Sequence, residues 1–193
     1  MSENHTHNHS SVLSVQVLVF LGLMGALSIV LSFVGTIRIG NYLRIGFSDL
    51  PNRLNDFLLG PFLGALFGGV MDIVKYLLQP TGPFFPGYTL SAVCGSLIFG
   101  FITHGMHGHK LSLVRIFAAE LLIKVFVNIG MNTAWSCLLY GNALMAILPA
   151  RILANLIQLP MDTAVIYFVL LSLEKSRVLS RMQLWLRPAA RNA

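Results

Sequence analysis

Long apolar stretches alternate with short polar connectors along this chain of 193 residues. About 20 apolar residues are needed for a helix to cross the hydrocarbon core of a bilayer, and most of the apolar stretches have that length. The pattern predicts six helices, near 12–34, 49–60, 61–79, 88–106, 112–138 and 146–174. The second is short and meets the third at Gly60-Pro61, so these two are either separate helices or one long broken helix. A compact all-α bundle is expected.

Two connectors are predicted to cover one end of this bundle. The segment 79–89 contains three prolines, two glycines and a group of aromatic side chains. It is therefore expected to be non-helical and to form a shaped lid over a pocket. Apolar and polar residues alternate over 36–39 and 42–45 on either side of Gly40-Asn41, which predicts a short hairpin after the first helix.

Polar residues inside the apolar stretches fall on two stripes at helical spacing. The last helix carries Arg151, Asn155, Gln158 and Asp162, and the fifth carries Glu120, Lys124, Asn128, Asn132 and Trp135. A polar side chain in lipid is costly unless it finds a partner or a wet cavity. The stripes therefore predict a polar cavity, or else interhelical hydrogen bonds and local ion pairs such as Asp72 with Lys75 and Glu120 with Lys124.

Composition and charge define the class and the orientation. Hydrophobic residues make up 55% of the chain and charged residues 10%, which indicates an integral membrane protein. Five of the thirteen Lys and Arg follow Leu173, which fits a membrane-facing tail better than nucleic-acid binding. The apolar run from Val12 to Val34 is too long for a cleaved signal peptide. We expect a cytoplasmic tail (1–11), a membrane domain (12–174), and a basic interfacial tail (175–193), with both termini cytoplasmic.

The outer end of the bundle is predicted to attract a flat, acidic ligand. Three helices present their amino termini outward, and each adds a partial positive charge there. The basic residues expected at this end are Arg38, Arg44 and Arg151, and the aromatic residues able to stack a planar ring are Phe84, Phe85, Tyr88 and Trp135. The other polar residues that we expect to face the cavity and bind ligand are Thr89, Asn128, Asn132 and Asn155.

Cysteine and histidine point to no further chemistry. Cys94 and Cys137 lie within apolar stretches, where a disulfide framework is not expected. Histidines occur in two groups, His5, His7 and His9 and then His104, His107 and His109. No cysteine completes either group, and the only nearby carboxylate is that of Glu3, so we expect no metal site.

Several segments resemble the substrate-binding S components of energy-coupling factor (ECF) vitamin transporters, most closely the folate-specific members. The similarity runs through nearly the whole chain. The matching segments are 44–48, Gly60-Pro61 with 64–72, 80–92, 132–135, 139–141 and 148–151.

This resemblance implies a six-helix bundle that captures a vitamin from outside and delivers it by toppling within the membrane. Two cytoplasmic ATPases and a transmembrane coupling subunit would supply the energy, so ATP would be used in trans and this chain would need no cofactor. The chain itself has no Gly-rich phosphate loop. The segments 38–48 and 80–88 would gate the site. Gly22 and Ala26 match the small-residue motif by which the first helix docks on the coupling subunit.

The expected function is high-affinity folate binding without chemistry on the ligand, in the plasma membrane of a prokaryote. Other vitamins remain alternatives at this point, namely riboflavin, pantothenate or thiamin, although cationic thiamin would be repelled by a basic mouth. A small intramembrane enzyme acting on lipid or an isoprenoid is a further alternative, as is a structural partner that binds no small molecule.

Overall fold

The computed structural model describes residues 15–34, 36–39, 43–80, 82–104, 111–141 and 144–176, and for a few of these, including 36–39 and 43–46, only the backbone. Most of the two predicted tails therefore lies outside the described residues. Five of the histidines considered above also lie outside the described residues, namely His5, His7, His9, His107 and His109.

Six helical runs are described, which confirms the predicted six-helix bundle. The first four are α1 (Val15–Val34), α2 (Leu50–Leu59), α3 (Pro61–Leu78) and α4 (Pro86–Thr103). The fifth run consists of α5 (Leu113–Leu122), a π-helical segment (Ile123–Met131) and α6 (Asn132–Tyr140), and the sixth is α7 (Leu144–Lys175).

The predicted hairpin is confirmed between α1 and α2. Strands β1 (Thr36–Ile39) and β2 (Leu43–Gly46) pair in antiparallel register, with Arg38 opposite Arg44. Two antiparallel strands joined by so short a connection form one compact unit. The hairpin therefore leads the chain from the end of α1 to the start of α2.

Gly60 separates α2 from α3, so these are two helices rather than one broken helix. Its φ of 90° lies in the left-handed region, which glycine adopts without steric cost. Pro61 then occupies the first position of α3, where its missing N–H leaves no helical hydrogen bond unmade. A Cβ on Gly100 of α4 would lie 2.5 Å from the Pro61 Cα, so α4 packs directly on this turn.

The aromatic connector is shorter than predicted. Helix α4 begins at Pro86, so Gly87, Tyr88 and Thr89 are helical rather than part of the lid. The prediction was wrong because a proline terminates a preceding helix but is well tolerated at the first position of the next one. Tyr88 and Thr89 consequently have positions fixed by α4.

Burial divides the side chains into a packed interior and an apolar exterior. Val17, Phe57, Phe99 and Ile116 are completely or almost completely buried and join α1, α2, α4 and α5. Many large hydrophobic side chains on the outside of the bundle are exposed instead; Val34, for example, is 82% exposed. Among the described helices, four are long and apolar enough to cross a membrane: Val15–Val34, Pro61–Leu78, Pro86–Thr103 and Leu148–Lys175. The chain is a multi-pass membrane protein whose exposed apolar surface faces lipid.

Candidate functional site

A cavity of about 580 Å³ lies within the bundle, lined by α2, α3, α4, the fifth helical run and α7, with Ser32 contributed by α1. Small-molecule sites typically have volumes of about 300–1,000 Å³. Most of its lining side chains are polar or aromatic. Those with a charge are Asp49, Arg53, Asp72, Lys75, Lys124, Arg151 and Asp162. The cavity is therefore built to hold a ligand that combines hydrogen-bonding groups with flat apolar surface.

Ion pairs, one within α2 and the others between different elements, hold most of the cavity's cations in place. The Arg53 Nε lies 3.0 Å from the Glu120 Oε1, and its Nη1 lies 3.4 Å from the Asp56 Oδ2. Lys124 donates to the Asp162 carboxylate at 2.6 Å, which joins the π-helical segment to α7. Buried charges are tolerated when they are paired in this way. These contacts also replace the local pairs weighed from the sequence, because Glu120 contacts Arg53 rather than Lys124.

Lys75 and Asp72 do not form the local ion pair that was considered from the sequence, because each contacts other residues. Lys75 donates to the Ser48 carbonyl at 3.0 Å and lies 3.5 Å from the Asp49 carboxylate. Asp72 accepts a hydrogen bond of 2.8 Å from the Thr89 hydroxyl. The lysine therefore ties α3 to the start of α2, and the aspartate ties α3 to α4. Asp49 and Asp72 both line the cavity.

Arg151 differs from the other cations that line the cavity. No salt bridge is found for it among the described residues, whereas Arg53, Lys75 and Lys124 each have a carboxylate within 3.5 Å. Its guanidinium interacts with the hydroxyl of Tyr88, which is a neutral group. A half-buried positive charge without a counter-charge strongly attracts an anion. Among the described cations of the cavity, Arg151 is therefore the one whose charge is left available to an anionic group.

An amide network lies beside Arg151. Asn132 donates to Asn128 at 3.3 Å, Asn128 donates to Asn155 at 3.1 Å, and Asn155 donates to the Arg151 carbonyl at 2.8 Å. The Asn132 Oδ1 is buried and has no hydrogen-bond partner among the described residues. Because buried polar atoms are nearly always satisfied, this oxygen is available to a donor on a ligand.

Aromatic side chains from the loop after α3 cover the cavity. Phe84 packs on Tyr76 with ring centroids 5.1 Å apart, and Phe85 packs between Tyr88 and Trp135 at 6.1 and 5.6 Å. The Tyr76 hydroxyl donates to the Gly82 carbonyl at 2.9 Å. The loop is thus attached to α3 by a hydrogen bond and to α6 by ring packing.

The structure brings together seven of the residues that we expected to face the ligand in the cavity wall. They are Phe84, Phe85, Tyr88, Asn128, Asn132, Arg151 and Asn155. Thr89 and Trp135 are outside the set of lining residues and support it from behind. Thr89 orients Asp72, while the Trp135 Nε1 donates to the Ser91 hydroxyl at 3.1 Å and its ring backs Phe85. Arg38 and Arg44 lie on the hairpin strands, and their side chains are outside the described part of the chain.

Other lining residues were not among the predicted ligand contacts. Arg53, Tyr76 and Tyr140 all line the cavity. Tyr76 and Tyr140 lie near the ends of α3 and α6, directly beside connectors. An aromatic residue at the end of a helix beside a connector could have been predicted as a cavity residue. Arg53 had a stronger signal, because a charged residue in an apolar bundle is a functional candidate by default.

The predicted docking residues lie away from the cavity, on the outer face of α1. Both Gly22 and Ala26 are exposed, and a Cβ on Gly22 would meet nothing within 4 Å. The neighbouring small residues are used inside the bundle instead: Gly25 packs against Met71, and Ser28 donates to the Ser48 carbonyl at 2.7 Å. Gly22 and Ala26 therefore form an open small-residue surface on α1.

Comparison with known proteins places this architecture in a family. Residues 16–170 match the model of the ECF transporter, substrate-specific component. The folate transporter FolT of Clostridium novyi (strain NT) is 33% identical over 153 residues, covering 79% of this chain and 87% of the relative. FolT of Leuconostoc mesenteroides subsp. mesenteroides is 30% identical over 159 residues, covering 79% and 83%.

A solved structure shares the fold as well. The crystal structure of FolT bound with folic acid superposes with a TM-score of 0.72 at 27% identity, covering 80% of this chain and 94% of that one. The family match, the relatives and the common fold agree with the resemblance found in the sequence. This chain belongs to the family of substrate-specific components of ECF transporters.

Proposed function

We propose that this chain binds folate and serves as the folate-specific S component of an ECF transporter. Relatives named folate transporters and a structural neighbour solved with folic acid support this substrate. The observation that carries the proposal is that one cavity combines an aromatic loop with Arg151, a cation that has no salt bridge among the described residues. Folate matches it, because the molecule has a flat bicyclic ring at one end and carboxylates at the other.

The proposed orientation places the cavity mouth outward and both termini in the cytoplasm of a prokaryotic cell. The distribution of basic residues supports it, since Lys175 and the arginines after it collect at the carboxyl end. In this orientation the loop after α3 faces the outside, where a vitamin would be captured.

The proposed partners are a transmembrane coupling subunit and two cytoplasmic ATPases. ATP would be consumed by those ATPases, and this chain would bind no cofactor and perform no chemistry on folate. Family membership supports this arrangement. The open surface at Gly22 and Ala26 is the proposed contact with the coupling subunit, because small residues let another helix approach closely in lipid.

Titration of the detergent-purified protein with folate tests the proposed substrate. We expect saturable quenching of tryptophan fluorescence by folate, with no response to thiamin or riboflavin at the same concentrations. Trp135 backs Phe85, a cavity residue, and should report the binding. Trp135→Phe should remove most of the signal while equilibrium dialysis still detects bound folate. Folate that fails to bind by dialysis, with another vitamin bound instead, would refute the proposed substrate.

Tyr76→Phe is expected to accelerate folate release about threefold to tenfold. This change removes the hydroxyl that donates to Gly82 and keeps the ring that packs on Phe84. A typical hydrogen bond contributes about 0.5–1.5 kcal/mol, which corresponds to this range in rate. Release is measured by chasing labelled folate with an excess of unlabelled folate. Tyr167→Phe on α7, outside the cavity lining, is the matched control, and equal release rates for both variants would exclude this role of the loop contact.

A further inference from the structure

Gly95 is a cavity residue whose lack of a side chain is not required by protein packing. A Cβ at this position would have its nearest neighbours at 3.8 and 3.9 Å, which is ordinary van der Waals contact. Gly68, which also lines the cavity, differs, because a Cβ there would lie 2.7 Å from the Ser96 hydroxyl. Glycine inside a helix costs about 0.5–1 kcal/mol relative to alanine. The space above Gly95 therefore belongs to the cavity rather than to a neighbouring side chain.

The guanidinium of Arg53 lies beside this space. Its Nη2 and Nη1 are the atoms nearest to the Cβ position of Gly95. The group is held by Glu120 and Asp56 and lies over the Phe99 ring, with the Cζ 5.1 Å from the ring centroid. Only 12% of the Arg53 side chain is exposed. We call the part of the cavity lining formed by Arg53 and Gly95 the floor. There, guanidinium N–H groups held by two carboxylates lie next to an open backbone surface.

Charge distinguishes this floor from the wall at Arg151. Two carboxylates already face Arg53, so a third one from a ligand would be repelled. A neutral acceptor, such as a ring carbonyl or ring nitrogen, would not be repelled and would accept a hydrogen bond from the guanidinium. Arg151, without a carboxylate partner among the described residues, favours an acid instead.

The two regions are separated along α4. Tyr88, whose hydroxyl interacts with Arg151, precedes Gly95 by seven residues, which is about 10 Å along an α-helix. An elongated ligand can reach both regions at once. A ligand with a flat neutral end and an acidic end would therefore be held in one direction only.

We propose that Gly95 and Arg53 form the subsite for the bicyclic ring of folate, with the ring lying on Gly95 and the glutamate carboxylates at Arg151. This inference rests on the proposed function. Gly95 then limits which rings are accepted, because any side chain there would occupy the ring's position.

Gly95→Ala is the test, with Gly130→Ala as the matched control. Gly130 is exposed on the π-helical segment outside the cavity lining, and a Cβ there would contact only the Val125 carbonyl at 3.4 Å. We expect Gly95→Ala to weaken folate binding by about tenfold or more, since one methyl group in a fitted pocket has effects of about 10–200-fold. The unfolding temperature of this variant without ligand should be unchanged or slightly raised. Gly130→Ala should bind folate as the unmodified protein does.

Fragments of folate then identify the end that Gly95 contacts. 6-Hydroxymethylpterin carries the ring alone, and p-aminobenzoylglutamate carries the acidic tail alone. In competition with labelled folate, Gly95→Ala should weaken the pterin and leave the tail fragment unchanged, whereas Arg151→Gln should do the reverse. Weakening of the tail fragment by Gly95→Ala, or no effect on folate at all, would overturn the assignment. Absence of folate binding by the unmodified protein would instead refute the proposed function on which it rests.

Discussion

Arg151→Gln is expected to weaken folate binding by about 100-fold. Charge-assisted hydrogen bonds contribute about 1.5–3 kcal/mol, and the upper part of this range corresponds to about two orders of magnitude in Kd. The large effect follows from the surroundings of Arg151, since no carboxylate of the described chain neutralises its charge. Glutamine keeps much of the side chain's length and can still donate a hydrogen bond. The loss of folate affinity therefore measures the contribution of the positive charge. Equilibrium dialysis with labelled folate measures it.

Arg115→Gln is the control for this prediction. It makes the same chemical change at an exposed position on α5 that is outside the cavity lining. We expect its folate affinity to equal that of the unmodified protein. Similar affinities of Arg151→Gln and Arg115→Gln would show that Arg151 does not bind the ligand carboxylate, and the acidic tail would then have to lie elsewhere in the cavity.

The helices were predictable because the bilayer imposes a length and a polarity on them. Apolar stretches of about 20 residues located α1, α3, α4 and α7 to within a few residues at each end. The start of α4 was misplaced because proline can end one helix or begin the next, and sequence alone does not choose between these positions. At residue 86 the proline begins a helix.

The stripe on α7 was predictable, and the stripe on the fifth helical run only in part. Arg151, Asn155, Gln158 and Asp162 all line the cavity, as the α-helical spacing requires. On the fifth run a π-helical segment intervenes at Ile123–Met131. Its hydrogen bonds span one residue more per turn, so a face counted at α-helical spacing drifts across it. Lys124, Asn128 and Asn132 remain in the cavity lining, whereas Trp135 lies behind Phe85.

The spacing of residues along the sequence could not predict the ion pairs between helices. Glu120 and Lys124 stand four residues apart, which favours a local pair, yet each contacts a residue from another helix. The choice depends on which helices are neighbours, and that is a property of the packed bundle. The same reason explains why the neighbours of Arg53 could not be predicted: its position between Glu120, Asp56 and Phe99 exists only in the folded chain.

Ala26→Trp is expected to abolish folate uptake while leaving folate affinity unchanged. Ala26 is exposed on the outer face of α1, and Gly22 on the same face has open space around it. A bulky indole would hold a partner helix away from this surface, and close backbone approach is a main source of association between helices in lipid. Neither residue lines the cavity, so binding should be retained. Uptake is measured in cells that also produce the coupling subunit and ATPases, and affinity is measured on the purified chain.

Ala134→Trp separates loss of docking from the general effect of adding a tryptophan at the lipid surface. Ala134 is also an exposed alanine, but it lies on α6 rather than α1. We expect this variant to take up folate and to copurify with the coupling subunit, whereas Ala26→Trp does neither. Normal uptake by Ala26→Trp would show that the coupling subunit binds another surface. Loss of folate affinity in Ala26→Trp would instead show that the outer face of α1 shapes the cavity as well as Ser32, because docking and binding would then depend on the same helix face.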